Sequence, residues 1–174
     1  MSPEIDVKTL IEGKTISYQE AVSKIRENRE KNLRVVLASG VFDVVHIGHI
    51  DYLTLAKSAG DLLFVGVETD EYARISKGAN RPLNTLKIRL AFLSALQPVD
   101  FVFGYDDVPV CGESPEIYIK RYRELNPDLL AVTSWNPLID QKRNLANEAG
   151  IKLLTVDADR KNSTTNLLKM LGYE

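Results

Sequence analysis

The stretch Arg34-Val35-Val36-Leu37-Ala38-Ser39, followed by Gly40-Val41-Phe42-Asp43-Val44-Val45-His46-Ile47-Gly48-His49, decides how this chain is read. Its first part is a short β-branched apolar run without polar alternation, the pattern of a strand buried on both faces. Gly40 closes the run and permits a sharp exit from it. The spacing then predicts a helix from about His46 to Ser58, stopping before Gly60, a residue suited to a C-terminal cap. In that order the loop lies at the carboxyl end of the strand, where parallel sheets collect their ligands.

The same alternation continues on both sides. Upstream, Ser17 to Lys31 carries Ala21, Val22 and Ile25 in a charged background, the spacing of an amphipathic helix lying on a domain. Downstream, Leu62 to Glu68 reads as a strand, and Thr85 to Leu96 reads as a helix ending before Pro98. Phe101 to Phe103 is a third strand, Ser114 to Leu125 a helix and Leu129 to Val132 a strand. Gln141 to Ala149 is helical, Ile151 to Val156 a strand, and Ser163 to Leu171 a closing helix. Short apolar strands alternating with helices predict an α/β domain with a doubly wound parallel sheet and right-handed crossovers. A length of 174 residues leaves room for one such domain with a short appendage.

Composition narrows the function classes. A hydrophobic fraction of 44% and a charged fraction of 26% are those of a soluble globular protein. The longer apolar runs, such as Leu62 to Val67, are too short for a bilayer, and the acidic N-terminus lacks a signal core. The cytoplasm is the expected compartment, with no membrane partner. The single cysteine, Cys111, cannot form an internal disulfide and reads as an ordinary loop thiol. A net charge of -2 argues against a nucleic-acid partner, because counterion-driven binding needs a basic surface. Phosphate handling therefore has to be local.

The local candidate is the loop already quoted. His46 and His49 are the chain's only two histidines, and three residues apart on a first helical turn they share a face. The helix start adds unpaired N–H groups and the positive end of the macrodipole, and Gly48 lets a ligand or backbone come close. Two imidazole donors with those amides make an anion site suited to a triphosphate. A zinc site lacks a third ligand at sensible spacing, so no metal ligand is assigned. No Gly-x-Gly-x-x-Gly follows the first strand, which argues against a dinucleotide-binding oxidoreductase.

Gly40-Val41-Phe42-Asp43 followed by His46-Ile47-Gly48-His49 resembles the signature of the cytidylyltransferase-like nucleotidyltransferases. Three further segments are similar to that family in order: Gly60 to Asp70, Lys77 to Asn84 with Arg89 beyond it, and Ser163-Thr164-Thr165-Asn166. The likeness covers roughly Ile16 to Leu171 and is nearest to the adenylyltransferase domain that makes ADP-activated heptose for lipopolysaccharide. It implies a Rossmann-like nucleotidyltransferase fold, with an N-terminal helical appendage over residues 1–32 and the transferase domain over residues 33–174.

The resemblance also implies roles. His46 and His49 would carry charge building on the α-phosphate and leaving pyrophosphate, with Gly40, Val41, Phe42, Asp43 and Gly48 forming the nucleotide loop. Lys77, which with Arg81 flanks Gly78 in a polar loop, would neutralise phosphate oxygens, and Arg89 would reach the nucleotide's phosphates. Arg81 either orders its loop or meets the substrate phosphate. Ser163, Thr164 and Thr165 would supply a second helix start facing the first. Asp43 either fixes the loop or, through water, helps hold Mg²⁺ on the triphosphate. Asp70 either touches substrate or caps a helix, and Trp135 either stacks on a ligand ring or packs under its loop. After Asp128 to Val132 the chain reads Thr133-Ser134-Trp135-Asn136-Pro137, where the heptose branch usually places a lysine and a glycine pair.

The expected reaction is in-line attack by a substrate phosphate oxygen on the α-phosphorus, releasing pyrophosphate, with Mg²⁺ accompanying the triphosphate. The expected partners are ATP or CTP and a phosphorylated small molecule, with AMP transfer to a sugar 1-phosphate such as heptose 1-phosphate as the first reading. The alternatives are a cytidylyltransferase acting on glycerol 3-phosphate or phosphoethanolamine, an FMN adenylyltransferase, and a non-catalytic nucleotide-binding module. The oligomeric state is left open, a homodimer among the options.

Overall fold

The computed structural model describes residues 13–109 and 115–158. Helix α1 (Tyr18–Glu30) begins at a capping box: the Ser17 hydroxyl accepts from the Glu20 amide, while the Glu20 carboxylate accepts from Ser17. Five strands follow, β1 (Val35–Gly40), β2 (Leu62–Val67), β3 (Phe101–Gly104), β4 (Leu129–Thr133) and β5 (Lys152–Val156). They form one parallel sheet in the order β3-β2-β1-β4-β5. Between them run α2 (Ile47–Ser58), α3 (Asp70–Lys77), α4 (Leu86–Ser94), α5 (Pro115–Leu125) and α6 (Ile139–Ala149).

The apolar runs of the strands feed two cores at once. Val35 and Leu37 of β1 point to one face, where they meet Tyr18, Ala21 and Ile25 of α1, Tyr122 and Leu125 of α5 and Leu145 of α6. Val36 and Ala38 point to the other, packing with Tyr52, Leu53 and Ala56 of α2 and Leu93 of α4. Period-two alternation on a strand buried from both sides explains why every residue from Val35 to Ala38 is apolar. The sheet is therefore doubly wound, as the sequence predicts. Residues 14–16 extend the order at its edge: the Val102 amide donates to the Lys14 carbonyl and the Ile16 amide to the Val102 carbonyl, partly covering β3.

Strand order determines where a ligand can sit. From β1 the chain moves outward through β2 to β3, then returns to place β4 on β1's other side. The topological switch therefore lies between the carboxyl ends of β1 and β4, where the two following loops diverge and leave a crevice. Those loops are residues 41–46 and 134–138.

One element departs from the sequence reading. Lys77 was expected in a polar loop, yet it is the last residue of α3. That helix has eight residues and buries only Ala73, so its sequence shows no apolar stripe. It starts because the Thr69 hydroxyl accepts from the Tyr72 amide, which makes Thr69 the cap rather than Asp70. Gly78 ends it with φ 108, a region a side-chain-bearing residue rarely enters. The closing helix expected over Ser163 to Leu171 lies outside the described residues, as does Cys111. No helix among the described residues is long and apolar enough to cross a membrane.

Candidate active site

Beyond Gly40 the chain turns sharply, and Phe42 takes the turn at φ 50. A left-handed conformation at a bulky residue costs about 1–2 kcal/mol and persists only where its surroundings fix it. Here the Phe42 ring is buried and folds back over Gly40, where an added Cβ would come within 3.2 Å of it. Its other neighbour is His49, met edge-on at 5.1 Å between ring centroids and 64° between planes. Phe42 is thus a wedge between the strand end and the first turn of α2.

On that turn the two imidazoles stack, with centroids 3.8 Å apart and planes 23° off parallel. Each keeps a buried Nδ1 with no hydrogen-bond partner. Burial lowers the affinity of His46 for a proton, and burial with the neighbouring His46 brings His49 down to about 3. Both rings are therefore neutral near pH 7. His46 is also the N-cap of α2, but its side chain makes no capping bond, and the first turn holds no acidic residue. The His49 and Ile50 amides both turn back to the His46 carbonyl, at 2.9 and 3.2 Å. The Ile47 and Gly48 amides have no acceptor among the described residues. Two neutral donors, free amides and the helix's positive end face the same crevice, an arrangement that stabilises negative charge.

Two ion pairs clamp this loop. The Asp43 carboxylate is 3% exposed and accepts from Arg81 Nε at 2.7 Å, the Leu83 amide at 2.8 Å and the Asn84 amide at 3.0 Å. Asn84 answers by donating its side-chain amide to the Asp43 carbonyl at 2.7 Å. Arg89, 0% exposed, donates to the carbonyls of Val41 (2.5 Å) and Asn84 (3.0 Å) and to the Asp70 carboxylate (2.6 Å). A guanidinium so deeply buried has to be paired, and these partners satisfy it. Arg89 thus joins the β1–α2 loop, the segment before α4 and the start of α3. It holds a loop together from inside; it is not a surface charge on a helix.

The remaining residues fall into two groups. Lys77 ends α3 and is exposed. Trp135, 39% exposed, lies in the loop after β4 and donates its indole N–H to the Ala158 carbonyl at 2.9 Å. The Ser134 amide bonds the Val156 carbonyl and its hydroxyl bonds Asp157, so the β4 loop is tied to the end of β5. Ser163, Thr164 and Thr165 lie outside the described residues. Sequence reasoning missed Asn84 as a centre of the clamp, although it quoted the segment. It also missed Glu68 and Arg121, a buried pair at 3.1 Å beside the same strand ends. Both signals are interactions distant in sequence, which local spacing does not carry.

A divalent ion held by protein ligands does not fit this loop. Both Asp43 oxygens are engaged, and no group of three metal-ligating side chains gathers among the described residues.

The fold is a doubly wound α/β sheet with a paired-histidine helix start at its switch point. The cytidylyltransferase-like family model matches residues 37–166, most of the chain, and the chain belongs to that family. It is a nucleotidyltransferase. The bifunctional protein HldE of Erwinia tasmaniensis is 31% identical over 159 residues, covering 90% of this chain and 31% of HldE. That of Citrobacter koseri is 34% identical over 157 residues, 88% of this chain and 30% of HldE. This chain thus spans about a third of the length of these relatives. Among solved structures, the lipopolysaccharide core biosynthesis protein of Thermoplasma volcanium superposes with a TM-score of 0.59 at 29% identity, covering 75% of this chain and 99% of that one. Pantoate-beta-alanine ligase of Francisella tularensis superposes with a TM-score of 0.65 at 17% identity, covering 88% of this chain and 72% of that one, which shows a shared fold.

Proposed function

We propose that this chain transfers AMP from ATP to a phosphorylated small molecule, a sugar 1-phosphate such as heptose 1-phosphate, and releases pyrophosphate. The observation that carries the reading is the stacked imidazole pair of His46 and His49, each with a buried Nδ1 that has no hydrogen-bond partner, beside free amides at the switch point. The likeness to a lipopolysaccharide core biosynthesis protein and to HldE supports the acceptor class.

In this reading an oxygen of the acceptor phosphate attacks the α-phosphorus in line, and the bond from that phosphorus to the β-phosphate bridging oxygen breaks. No general base is required, because a phosphate monoester is already an anion near neutral pH. His46 and His49 donate hydrogen bonds to the non-bridging oxygens on which charge grows, and the Ile47 and Gly48 amides add theirs. Phe42, Asp43, Arg81 and Arg89 act as positioning residues that keep the donors in place. Lys77 would neutralise phosphate oxygens. Mg²⁺ would ride on triphosphate oxygens and water, neutralising charge there, as it commonly does with few protein ligands.

Initial rates of pyrophosphate release test the proposal, with ATP and CTP each paired with a sugar 1-phosphate, glycerol 3-phosphate, phosphoethanolamine and FMN. Turnover is expected with ATP and the sugar 1-phosphate. Faster turnover with any other pair would replace the acceptor or the base, and no release with any pair would leave a nucleotide-binding module.

A further inference from the structure

One guanidinium joins the ends of β2 and β3 at the carboxyl edge of the sheet. Glu68 directly follows β2, and its amide donates to the Gly40 carbonyl at 3.0 Å, so it borders the end of β1 as well. Asp107 lies in the loop after β3. Arg121, on α5 and 2% exposed, reaches both. Its Nη1 donates to the two Glu68 oxygens at 3.1 Å each. Its Nε donates to the Asp107 carboxylate at 2.7 Å and its Nη2 to the Asp107 carbonyl at 3.0 Å. The guanidinium also lies 3.8 Å from the centre of the Tyr105 ring. That ring packs so closely on β2 that a Cβ added at Gly66 would come within 2.5 Å of the Tyr105 hydroxyl.

The residues after Glu68 carry this anchorage into α3. Thr69 caps the helix, and Asp70 opens it and pairs with Arg89 at 2.6 Å. A second tie from α5 reaches the same turn, where the Tyr118 hydroxyl donates to the Tyr72 hydroxyl at 3.1 Å. Because α3 buries only Ala73, apolar packing does little to hold it, and polar contacts at its start set its place. A buried ion pair adds little net stability over apolar packing, since both charges lose water. A planar fork bonded to two partners does fix angles as well as distances. Geometry is what the Arg121 network supplies.

We propose that Arg121 is a positioning residue for the transfer step: bonded to Glu68 and Asp107 across the ends of β2 and β3, it fixes the start of α3 and, through that helix, the place of Lys77. This rests on the transferase reading above, in which Lys77 neutralises phosphate oxygens. It gives α5, a helix to which no site residue was assigned from sequence, a part in the site.

The test measures kcat per mole of folded enzyme, from pyrophosphate release, for wild type, Arg121→Lys, Lys77→Met and the double variant. Arg121→Lys keeps the charge but loses the fork that spans Glu68 and Asp107. Its kcat should fall about tenfold, the scale of loss when a reacting group's neighbour is slightly misplaced. In the Lys77→Met background the same change should cost less than about twofold, because the charge that Arg121 places is already gone. A kcat within about twofold of wild type overturns the proposal. So do equal losses in both backgrounds, which is what weakened packing alone would give. Should Arg121→Lys not fold, Tyr118→Phe removes only the hydroxyl tie; its kcat should fall about threefold, again only when Lys77 is present. Should wild type turn over no acceptor, the transferase reading fails on its own, and the positioning is read by hydrogen exchange instead. The α3 amides should then exchange about tenfold faster in Arg121→Lys, with those of α2, on the other face of the sheet from α5, unchanged. Equal α3 rates in the two proteins, or faster exchange in α2 as well, overturn it.

Discussion

At the scale of single residues, the roles proposed for the two histidines carry expected outcomes for both chemistry and pH response. His46→Ala should lower kcat by about 10²–10³-fold, the loss expected for one donor aimed at developing charge. Its thermal midpoint should stay close to wild type, because the ring makes no hydrogen bond that holds the fold. The pH behaviour has a definite sign. In the unfolded chain an imidazole takes a proton near pH 6.5, whereas folded His49 resists until about pH 3. Between those values the unfolded state binds more protons, so stability is fully present above about pH 6.5 and declines as the pH falls from there. Urea midpoints at pH 7.5 and pH 5 should therefore differ less in His49→Gln than in wild type; parallel losses in both would contradict the buried neutral ring. The juxtaposition of these rings was legible in their three-residue spacing. The burial of Arg89 was not, since its partners Val41, Asn84 and Asp70 are set by folding rather than by neighbours in sequence.

At the scale of elements, the β1–α2 loop is held by the two clamps centred on Asp43 and Arg89. Arg89→Met would leave the Val41 and Asn84 carbonyls without their donor and release Asp70, at a cost of about 3 kcal/mol. Urea unfolding should show that loss, and the residual folded enzyme should lose activity as well, because Phe42 and the start of α2 would drift. Activity retained at full stability would mean that the clamp does not position the histidines. Most elements could be read from apolar periodicity, within a residue or two at each end. The exception, α3, buries one residue and depends on a hydroxyl cap, and a polar segment of that kind gives periodicity nothing to detect. Its discovery changes the setting of Lys77, which is carried at the end of a rigid helix that Asp70 and Arg89 tie to the nucleotide loop.

At the scale of the whole molecule, the parallel order β3-β2-β1-β4-β5 places at one edge the loop that leads to His46 and the loop that carries Trp135. Doubly wound architecture was legible from the strand–helix alternation, but the order of strands was not, because no local pattern says that β4 returns to β1. Helix α1 was expected to lie on the domain, and its Tyr18, Ala21 and Ile25 share a core with β1 and β4. Ile25→Ala should accordingly destabilise the entire sheet by about 2–5 kcal/mol, seen as one cooperative shift of the unfolding transition. A separate early transition for α1 would show instead that it docks independently. The central claim is that the paired imidazoles and the α2 amides cradle the triphosphate, and a crystal structure with a non-hydrolysable ATP analogue tests it most directly. The account predicts the α-phosphate against His46, His49 and the Ile47 and Gly48 amides; phosphates bound elsewhere, with this crevice filled by water, would contradict it.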